Sequence, residues 1–176
     1  TKIPEERVAE ITADMEKKTR NLLLIGMPGC GKTTIGRGLA RRLNRPLEDV
    51  DRRIAAAAGR PIPEIFAQEG EEGFRTREHR ALCEVSKESG LVIACGGGIV
   101  TQEENWDAMR QNSTVIYLRR DLSLLPTSGR PMSLANPVEA LYRQRAPLYE
   151  QLADLTVENM GTPEETVEEI IRRLKL

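Results

Sequence analysis

Residues 21–43 read NLLLIGMPGCGKTTIGRGLARRL, an apolar run followed by a glycine-rich loop and an amphipathic segment. The continuous apolar run from Leu22 to Ile25 is typical of a strand that is covered on both faces of a parallel sheet. The next eight residues match the phosphate-loop pattern G-x-x-x-x-G-K-T, and a helix is predicted from Thr33 to Leu43. Strand, loop and helix in this order are the context that the pattern requires, so the stretch predicts an α/β nucleotide-binding fold.

The loop residues suit the chemistry of a nucleoside triphosphate. Glycines let the backbone turn its N–H groups inward around phosphate oxygens, at the positive end of the following helix dipole. Lys32 would reach the β- and γ-phosphates, and the Thr33 hydroxyl would supply one ligand to Mg²⁺. Cys30 fills a small-residue position, where exposure would make its thiol reactive. The predicted ATP- and phosphate-binding residues are Gly29, Cys30, Gly31, Lys32, Thr33 and Thr34.

Predicted strands and helices alternate from Asn21 onward, which is the pattern of a parallel sheet with helices on both faces. The sequence therefore predicts a three-layer α/β/α architecture, with residues 126–137 irregular. Strands are predicted at 22–25, 47–51, 91–95, 114–118 and 154–157. Further helices are predicted at 52–58, 63–69, 74–88, 102–110, 138–152 and 162–176.

A helix is also predicted ahead of the first strand, at residues 4–18, with apolar side chains at 3–4 spacing. Because its apolar stripe carries no polar functional group, we interpret it as a packing or linker helix. The expected division is an N-terminal helical extension or linker at 1–20 and one catalytic domain at 21–176. The first residue is Thr1 rather than Met, so a processed product, a cloned fragment and a piece of a longer polypeptide all remain open.

Composition excludes several functional classes. The 176 residues carry 26 basic and 27 acidic side chains, a balance that does not favour binding to a nucleic-acid backbone. The longest apolar runs, 22–25 and 91–95, are far shorter than the roughly 20 residues that span a bilayer. Three cysteines without a C-x-x-C pair and a single histidine favour reduced thiols over a disulfide or zinc framework. We expect a cytoplasmic protein that binds neither nucleic acid nor membrane.

Two further motifs follow predicted strands. Asp49 and Asp51 end the second strand, and residues i and i+2 of a strand project to the same side. One carboxylate could hold the metal and the other could deprotonate an attacking hydroxyl, although Asp51 could equally cap the helix at Arg52. Residues 96–98 are three glycines directly after the third strand, which would let a substrate approach the backbone or simply form a turn.

Together these motifs resemble those of the shikimate kinases, and the resemblance covers residues 21–176. The ordered set is specific, whereas a phosphate loop alone identifies only a superfamily. The matching segments are the phosphate loop, Asp49-Val50-Asp51, Gly73-Phe74-Arg75 with Glu78, Gly96-Gly97-Gly98, Arg130-Pro131 and Arg145-Ala146-Pro147-Leu148-Tyr149. The resemblance implies a five-stranded parallel sheet of the P-loop kinase type. It also implies transfer of the ATP γ-phosphoryl group to the 3-hydroxyl of shikimate, giving shikimate 3-phosphate and ADP in aromatic amino acid biosynthesis.

The resemblance further implies a role for each matching residue. Asp51 matches the base that holds the accepting hydroxyl, and Asp49 matches a residue near Mg²⁺. Arg75 and Arg145 match the arginines that bind the shikimate carboxylate, and Arg130 matches the lid arginine that approaches the transferring phosphate. The expected catalytic residues are Asp51, Lys32 and Arg130, and the other substrate-binding residues are Gly96, Gly97, Gly98, Phe66 and Phe74. The metal ligands would be Thr33 and Asp49.

Three alternatives remain open. The N-terminal helix lies outside the usual kinase unit, which indicates excision from a multifunctional aromatic-pathway polypeptide. A kinase for gluconate or a nucleoside monophosphate would share the phosphate loop but has no reason to combine Arg75 and Arg145 with a triple glycine. A nucleotide-binding regulatory domain with a degenerate site is favoured only by residues 124–129, LLPTSG, where members commonly carry an arginine pair.

Overall fold

A computed structural model describes residues 2–125 and 137–176 of the chain. These residues form one parallel sheet of five strands in the order β2-β3-β1-β4-β5. The strand that precedes the phosphate loop is therefore the central one, and all five of its residues are buried. The strands are β1 Asn21–Ile25, β2 Leu47–Asp49, β3 Val92–Ala94, β4 Ser113–Arg119 and β5 Leu155–Glu158.

Seven α-helices in the described residues flank the sheet, so the predicted α/β class with a five-stranded parallel sheet is confirmed. Short 3₁₀ turns at Ile99–Thr101, Glu103–Asn105 and Leu122–Leu124 join some of these elements. The helices are α1 Glu5–Thr19, α2 Lys32–Leu43, α3 Val50–Ala58, α4 Ile62–Ser86, α5 Trp106–Gln111, α6 Pro137–Leu152 and α7 Pro163–Leu174.

Two predicted helices meet at a kink within α4. The segments expected at 63–69 and 74–88 are separated by a break at Gly70, where φ is 72° and ψ is −176°. A positive φ is accessible to glycine at little cost, and no atom lies within 4 Å of the position that a Cβ would occupy. Gly70 therefore redirects the chain between two helical segments.

The beginning of α3 also differs from the prediction. The helix starts at Val50 rather than Arg52, and its N-terminal cap is Asp49, whose Oδ1 accepts the amides of Asp51 (3.0 Å) and Arg52 (3.3 Å). Asp51 thus lies in the first helical turn and does not cap the helix. The prediction that Asp49 and Asp51 share one side of a strand is wrong, because β2 ends at Asp49.

Helix α1 lies close to its predicted range, but its apolar side chains do not pack into the core. Val8, Ile11 and Met15 remain 47%, 39% and 61% exposed. The end of the helix is held by the Gly90 amide, which donates to the Thr19 carbonyl at 2.7 Å. The division into residues 1–20 and 21–176 stays a prediction. Among the described residues, no helix is both long and apolar enough to cross a membrane.

Candidate active site

A cavity of about 560 Å³ opens where β1, β2 and β3 end. Ligands of open parallel sheets bind at the carboxyl ends of the strands, because the loops that follow the strands meet there. The cavity brings together three segments that the sequence analysis singled out separately. Its lining residues are Pro28, Gly29, Gly31, Lys32, Thr33, Thr34, Asp49, Asp51, Ala94, Cys95, Gly96 and Gly97.

The phosphate loop is folded around the end of the Lys32 side chain. Lys32 Nζ donates to the carbonyl oxygens of Gly26 at 2.8 Å and Met27 at 2.9 Å. Gly29 and Gly31 have φ values of 80° and 102°, which residues with a side chain rarely adopt. The loop therefore requires these glycines for its shape, and Lys32 braces it from within.

Cys30 fills the small-residue position that the sequence predicts within this loop. Its side chain is fully buried, so the exposure that would make its thiol reactive is absent. Its amide donates to the Met27 carbonyl at 3.1 Å, and the residue does not line the cavity. Cys30 consequently supports the curvature of the loop, whereas the neighbouring glycines border the cavity directly.

Asn159 connects the phosphate loop to the far edge of the sheet. This buried residue follows β5, and its Nδ2 donates to the Cys30 carbonyl at 2.7 Å. Its Oδ1 accepts the Thr166 hydroxyl of α7 at 2.9 Å. A Cβ on Gly31 would lie only 2.5 Å from Asn159 Nδ2, which is a second reason for glycine there. Sequence reasoning missed Asn159, although a polar residue two positions after the strand predicted at 154–157 was the available signal.

Asp51 presents a buried carboxylate oxygen at the cavity. Its Oδ1 is buried without a hydrogen-bond partner among the described residues. A Cβ on Gly96 would lie 3.1 Å from that oxygen, so the glycine leaves room beside it. Burial, and then the negative charge of Asp49, raise the pKa of Asp51, and the positive charges of Lys32 and Arg75 oppose the shift.

Glu78 and Arg75 form a buried ion pair beside Asp51. Arg75 Nη1 donates to Glu78 Oε1 at 2.9 Å, and the Glu78 side chain is completely buried. Burial raises the pKa of Glu78, and the charge of Arg75 and its hydrogen bond oppose this shift. A side chain on Gly98 would collide with the Arg75 guanidinium, so the third glycine of the triplet allows the arginine to reach this position.

Arg145 approaches the same glycines from α6. A Cβ on Gly97 would lie 3.2 Å from Arg145 Nη1. The buried Tyr149, one helical turn later, donates its hydroxyl to the Gly97 carbonyl at 2.5 Å. Burial raises the pKa of Tyr149, so the phenol stays protonated as a donor. The helix therefore fixes the middle glycine and presents Arg145 beside it.

Four polar atoms of this cluster are buried without a partner in the described parts of the chain. Buried polar groups are paired in most proteins, and an unpaired one costs about 1–3 kcal/mol. Two are donors on guanidinium groups and two are carboxylate acceptors, which matches a ligand that carries both an anion and hydroxyls. The atoms are Arg75 Nε, Arg145 Nε, Asp51 Oδ1 and Glu78 Oε2.

An apolar surface adjoins the arginines. The rings of Phe66 and Phe74 stack with their centroids 4.4 Å apart, and the Arg75 guanidinium lies 5.3 Å from the Phe74 ring centroid. Phe66 is 37% exposed, whereas Phe74 is buried. The two residues lie on either side of the Gly70 break, and the structure brings their rings together.

Two side chains of the cavity suit the coordination preferences of Mg²⁺. Within 2–125 and 137–176, no group of three or more His, Cys, Asp or Glu residues could hold a metal by itself. Mg²⁺ commonly takes one or two carboxylates, and substrate phosphates and water complete its coordination. Thr33 and Asp49 line the same cavity and supply a hydroxyl and a carboxylate, so they fit this ion. Arg130, the remaining predicted site residue, lies outside the described residues, as does the expected irregular segment through residue 136.

The fold and the cavity together define a P-loop kinase that acts on a small molecule. The family model for shikimate kinase matches residues 28–175. The chain belongs to the shikimate kinase family, and the predicted reaction, ATP-dependent phosphorylation of shikimate at its 3-hydroxyl, is confirmed at the level of this family.

Individual relatives agree with that assignment. A shikimate kinase of Neisseria gonorrhoeae is 42% identical over 169 residues, covering 91% of this chain and 99% of the relative. One from Cupriavidus pinatubonensis is 43% identical over 158 residues, covering 85% of this chain and 82% of the relative. The solved structure of Acinetobacter baumannii shikimate kinase in complex with shikimate is 35% identical and has a TM-score of 0.83. The match covers 93% of this chain and 97% of that one. These comparisons do not support the expected multifunctional polypeptide.

Proposed function

We propose that the cavity at the carboxyl edge of the sheet carries out shikimate phosphorylation with the residues that line it. The observation that carries this proposal is the pair of unpartnered guanidinium donors, Arg75 Nε and Arg145 Nε, beside the unpartnered Asp51 oxygen. Shikimate combines one carboxylate with hydroxyl groups. Its carboxylate would accept from the two guanidinium groups, and one of its hydroxyls would donate to the Asp51 oxygen. The substrates would be ATP and shikimate, and the products ADP and shikimate 3-phosphate.

The nucleotide would occupy the phosphate loop. Backbone N–H groups of Gly29 and Gly31 and the first turn of α2 border the cavity and would donate to phosphate oxygens. Lys32 would exchange its bonds to the Gly26 and Met27 carbonyls for the β- and γ-phosphates. Thr33 and Asp49 would hold Mg²⁺, which when bound offsets negative charge on the phosphates. Thr34 completes the proposed phosphate site.

The acceptor would lie against the glycine triplet. Arg75 and Arg145 would grip its carboxylate, since a planar guanidinium matches that group through two parallel N–H donors. Gly96, Gly97 and Gly98 leave the space that the acceptor requires. Phe66 and Phe74 would cover its apolar ring face. Glu78 holds the Arg75 guanidinium through the opposite edge, so it orients the donor rather than contacting the carboxylate.

Asp51 would act as the general base. It would accept the proton of the 3-hydroxyl as that oxygen bonds to the γ-phosphorus and the bridging oxygen leaves with ADP. Its raised pKa strengthens it as a base, while the nearby Lys32 and Arg75 charges keep its ionised form accessible. For Arg130 we propose the role implied by the family pattern, stabilisation of charge on the transferring phosphoryl group.

We place the reaction in the cytoplasm. The three cysteines of the chain are free thiols, which fits a reducing compartment. Residues 1–20 are proposed to lie outside the catalytic unit, because the described part of this range contributes no residue to the cavity lining.

A coupled assay of ADP release tests the proposed acceptor. The purified chain would be incubated with Mg²⁺-ATP and with shikimate, gluconate or AMP in separate reactions. We expect release of one ADP per shikimate consumed and only background release with the other two. ADP release with gluconate or AMP would move the chain to another kinase class, and nucleotide binding without any acceptor-dependent release would favour the regulatory domain.

A further inference from the structure

Two side-chain contacts span the Gly70 break of α4. The rings of Phe66 and Phe74 stack with their centroids 4.4 Å apart, and Arg77 Nε donates to Glu69 Oε1 at 2.9 Å. In each pair the partners are eight positions apart in the sequence. Eight residues of an unbroken helix rise about 12 Å along its axis, which is too far for two stacked rings. Both contacts therefore depend on the bend of the chain at Gly70.

Gly73 allows the bend to close on the side of Glu69. A Cβ on Gly73 would lie 2.5 Å from a side-chain carbon of Glu69, its Cβ. Cβ atoms four positions apart on a regular helix are about 5–6 Å apart, so the bend brings these two positions unusually close. The same Cβ on Gly73 would lie 3.2 Å from Glu69 Oε1, the oxygen that accepts the Arg77 hydrogen bond. Glycine at residue 73 therefore leaves room for this ion pair.

Glu69 is also bound from the other side of the bend. Arg60, which precedes α4, donates through Nη2 to Glu69 Oε2, and all three side chains are half-buried. The hydrogen bonds from Arg77 and Arg60 lower the pKa of Glu69, so its carboxylate is ionised at neutral pH. One carboxylate thus joins the chain before α4 to the segment of α4 that follows the break.

The segment after the break carries two of the proposed acceptor-binding residues. Phe74 is buried, and the guanidinium of Arg75 lies 5.3 Å from the centroid of its ring. Glu78, on the same segment, holds Arg75 Nη1 at 2.9 Å. Opening of the bend would separate Phe74 from Phe66 and would turn the segment that carries Arg75. The angle at Gly70 therefore sets the position of the aromatic surface and of the carboxylate-binding arginine together.

We propose that Glu69 is a positioning residue for the acceptor, which holds α4 in this bend through its ion pairs with Arg60 and Arg77. This inference rests on the proposed function, since it takes shikimate as the acceptor. Glu69 is not among the described residues that line the active-site cavity, so it acts through the helix rather than by contact with substrate. The phosphate loop belongs to other elements, so nucleotide binding does not depend on the bend.

Binding measurements on two variants test this role. Glu69→Gln keeps the size of the side chain and removes its charge, so both ion pairs are weakened, whereas Arg77→Gln weakens one. A partly exposed ion pair changes an equilibrium by up to about 5-fold, and a smaller population of the bent form raises the apparent dissociation constant by the same factor. By calorimetry we expect the dissociation constant for shikimate to rise about 10-fold in Glu69→Gln and about 3-fold in Arg77→Gln. The affinity for ATP and kcat at saturating shikimate should stay at the parental values.

Fluorine NMR would report the bend without any ligand. Phe66 and Phe74 are the two phenylalanines of the chain, so incorporation of 4-fluorophenylalanine gives two resonances, which Phe66→Leu assigns. Each ring of the stack shifts the resonance of the other through its ring current. We expect both resonances of folded Glu69→Gln to move towards the shift of the free amino acid. A general loss of stability would leave both resonances unchanged below the melting temperature.

A matched control and the overturning results complete the test. Glu72→Gln removes the same charge from an exposed position of α4 and should match the parent in both measurements. Arg77→Gln keeps the test decisive should Glu69→Gln not fold. Parental shikimate affinity and parental fluorine shifts in the folded variant would overturn the positioning role, as would equal weakening of shikimate and ATP. Failure of the parent itself to bind shikimate would overturn the proposed function, and this role with it.

Discussion

Replacing Arg145 with Ala tests the proposed carboxylate contact directly. The Nε of Arg145 is buried without a partner among the described residues, so a bound carboxylate would gain a donor that competes with no other group. A hydrogen bond to a charged group contributes about 1.5–3 kcal/mol. Because 1.4 kcal/mol corresponds to a factor of ten, we expect the dissociation constant for shikimate to rise about 10- to 150-fold.

The structure also indicates how to separate this contact from local packing. Arg145 lies beside Tyr149, whose hydroxyl donates to the Gly97 carbonyl, so the variant could disturb the glycine as well. Tyr149→Phe removes the hydroxyl with its bonds to the Gly97 carbonyl and to Arg145 but keeps the guanidinium, and it should weaken shikimate binding by about 5-fold, the effect of roughly 1 kcal/mol. Arg145→Lys should restore little affinity, since an ammonium cannot reproduce the planar fork. Arg143, exposed on the same helix, is the matched control, and Arg143→Ala should bind shikimate as the parent does.

Isothermal titration calorimetry with shikimate and with its methyl ester would measure these effects. The ester lacks the anion, so it should bind the parent weakly and lose little more in Arg145→Ala. The two ligands and two proteins form a double-mutant cycle whose coupling energy reports the contact itself. An equal loss of affinity for shikimate and ester would refute the carboxylate contact, as would weaker ATP binding with unchanged shikimate binding.

Three further outcomes follow from the site. Lys32→Met should fold and abolish turnover, because the ammonium stabilises charge on the transferring phosphoryl group; activity near the parental level would contradict the assignment of the phosphate loop. Asp51→Asn should lower kcat by about 10²–10⁴-fold. Folding raises the pKa of Asp51, so ionisation of this carboxylate lowers the free energy of unfolding as pH rises above the ordinary aspartate pKa. The Asp51→Asn variant should therefore melt at a higher temperature than the parent at pH 7. The difference in melting temperature should shrink below pH ~4, where the aspartate is protonated in both states. Asn159→Ala leaves the buried Cys30 carbonyl unpaired, so it should raise the dissociation constant for ATP about 10-fold. Shikimate affinity should stay unchanged, and calorimetry with each ligand checks both.

The fold was predictable where the local sequence pattern alone specifies the same structure that long-range packing stabilises. The apolar run of β1 and the glycine-rich loop specify a buried strand and a phosphate-binding turn without reference to any distant residue. The beginning of α3 was not predictable in the same way, because Asp49 is compatible with a strand end and with a helix cap. In the structure Asp49 is the helix cap, because its carboxylate accepts two amide N–H groups of the first turn. The break at Gly70 falls where the prediction separates the helices at 63–69 and 74–88, although the pattern does not reveal the sign of the glycine φ angle.

The site was predictable in its residue types rather than in its connections. Arg75 and Arg145 were expected near one anion, but the sequence carries no sign that Glu78 and Tyr149 hold the surrounding groups. Asn159 was missed because its hydrogen bonds join elements that are distant in the chain. Long-range pairing of this kind depends on the sheet order, which places β5 two strands from β1.

The bond between Asn159 and the Cys30 carbonyl also has a consequence for synthesis of the chain. Its two partners are 129 residues apart, and the phosphate loop is translated first. At 5–20 residues per second, a ribosome needs about 6 to 26 s to deliver Asn159 after the loop has been made. During that interval the loop has its glycines and its lysine but lacks the buried amide that holds the Cys30 carbonyl. A nascent chain should therefore acquire its full affinity for nucleotide only when its last strand has emerged.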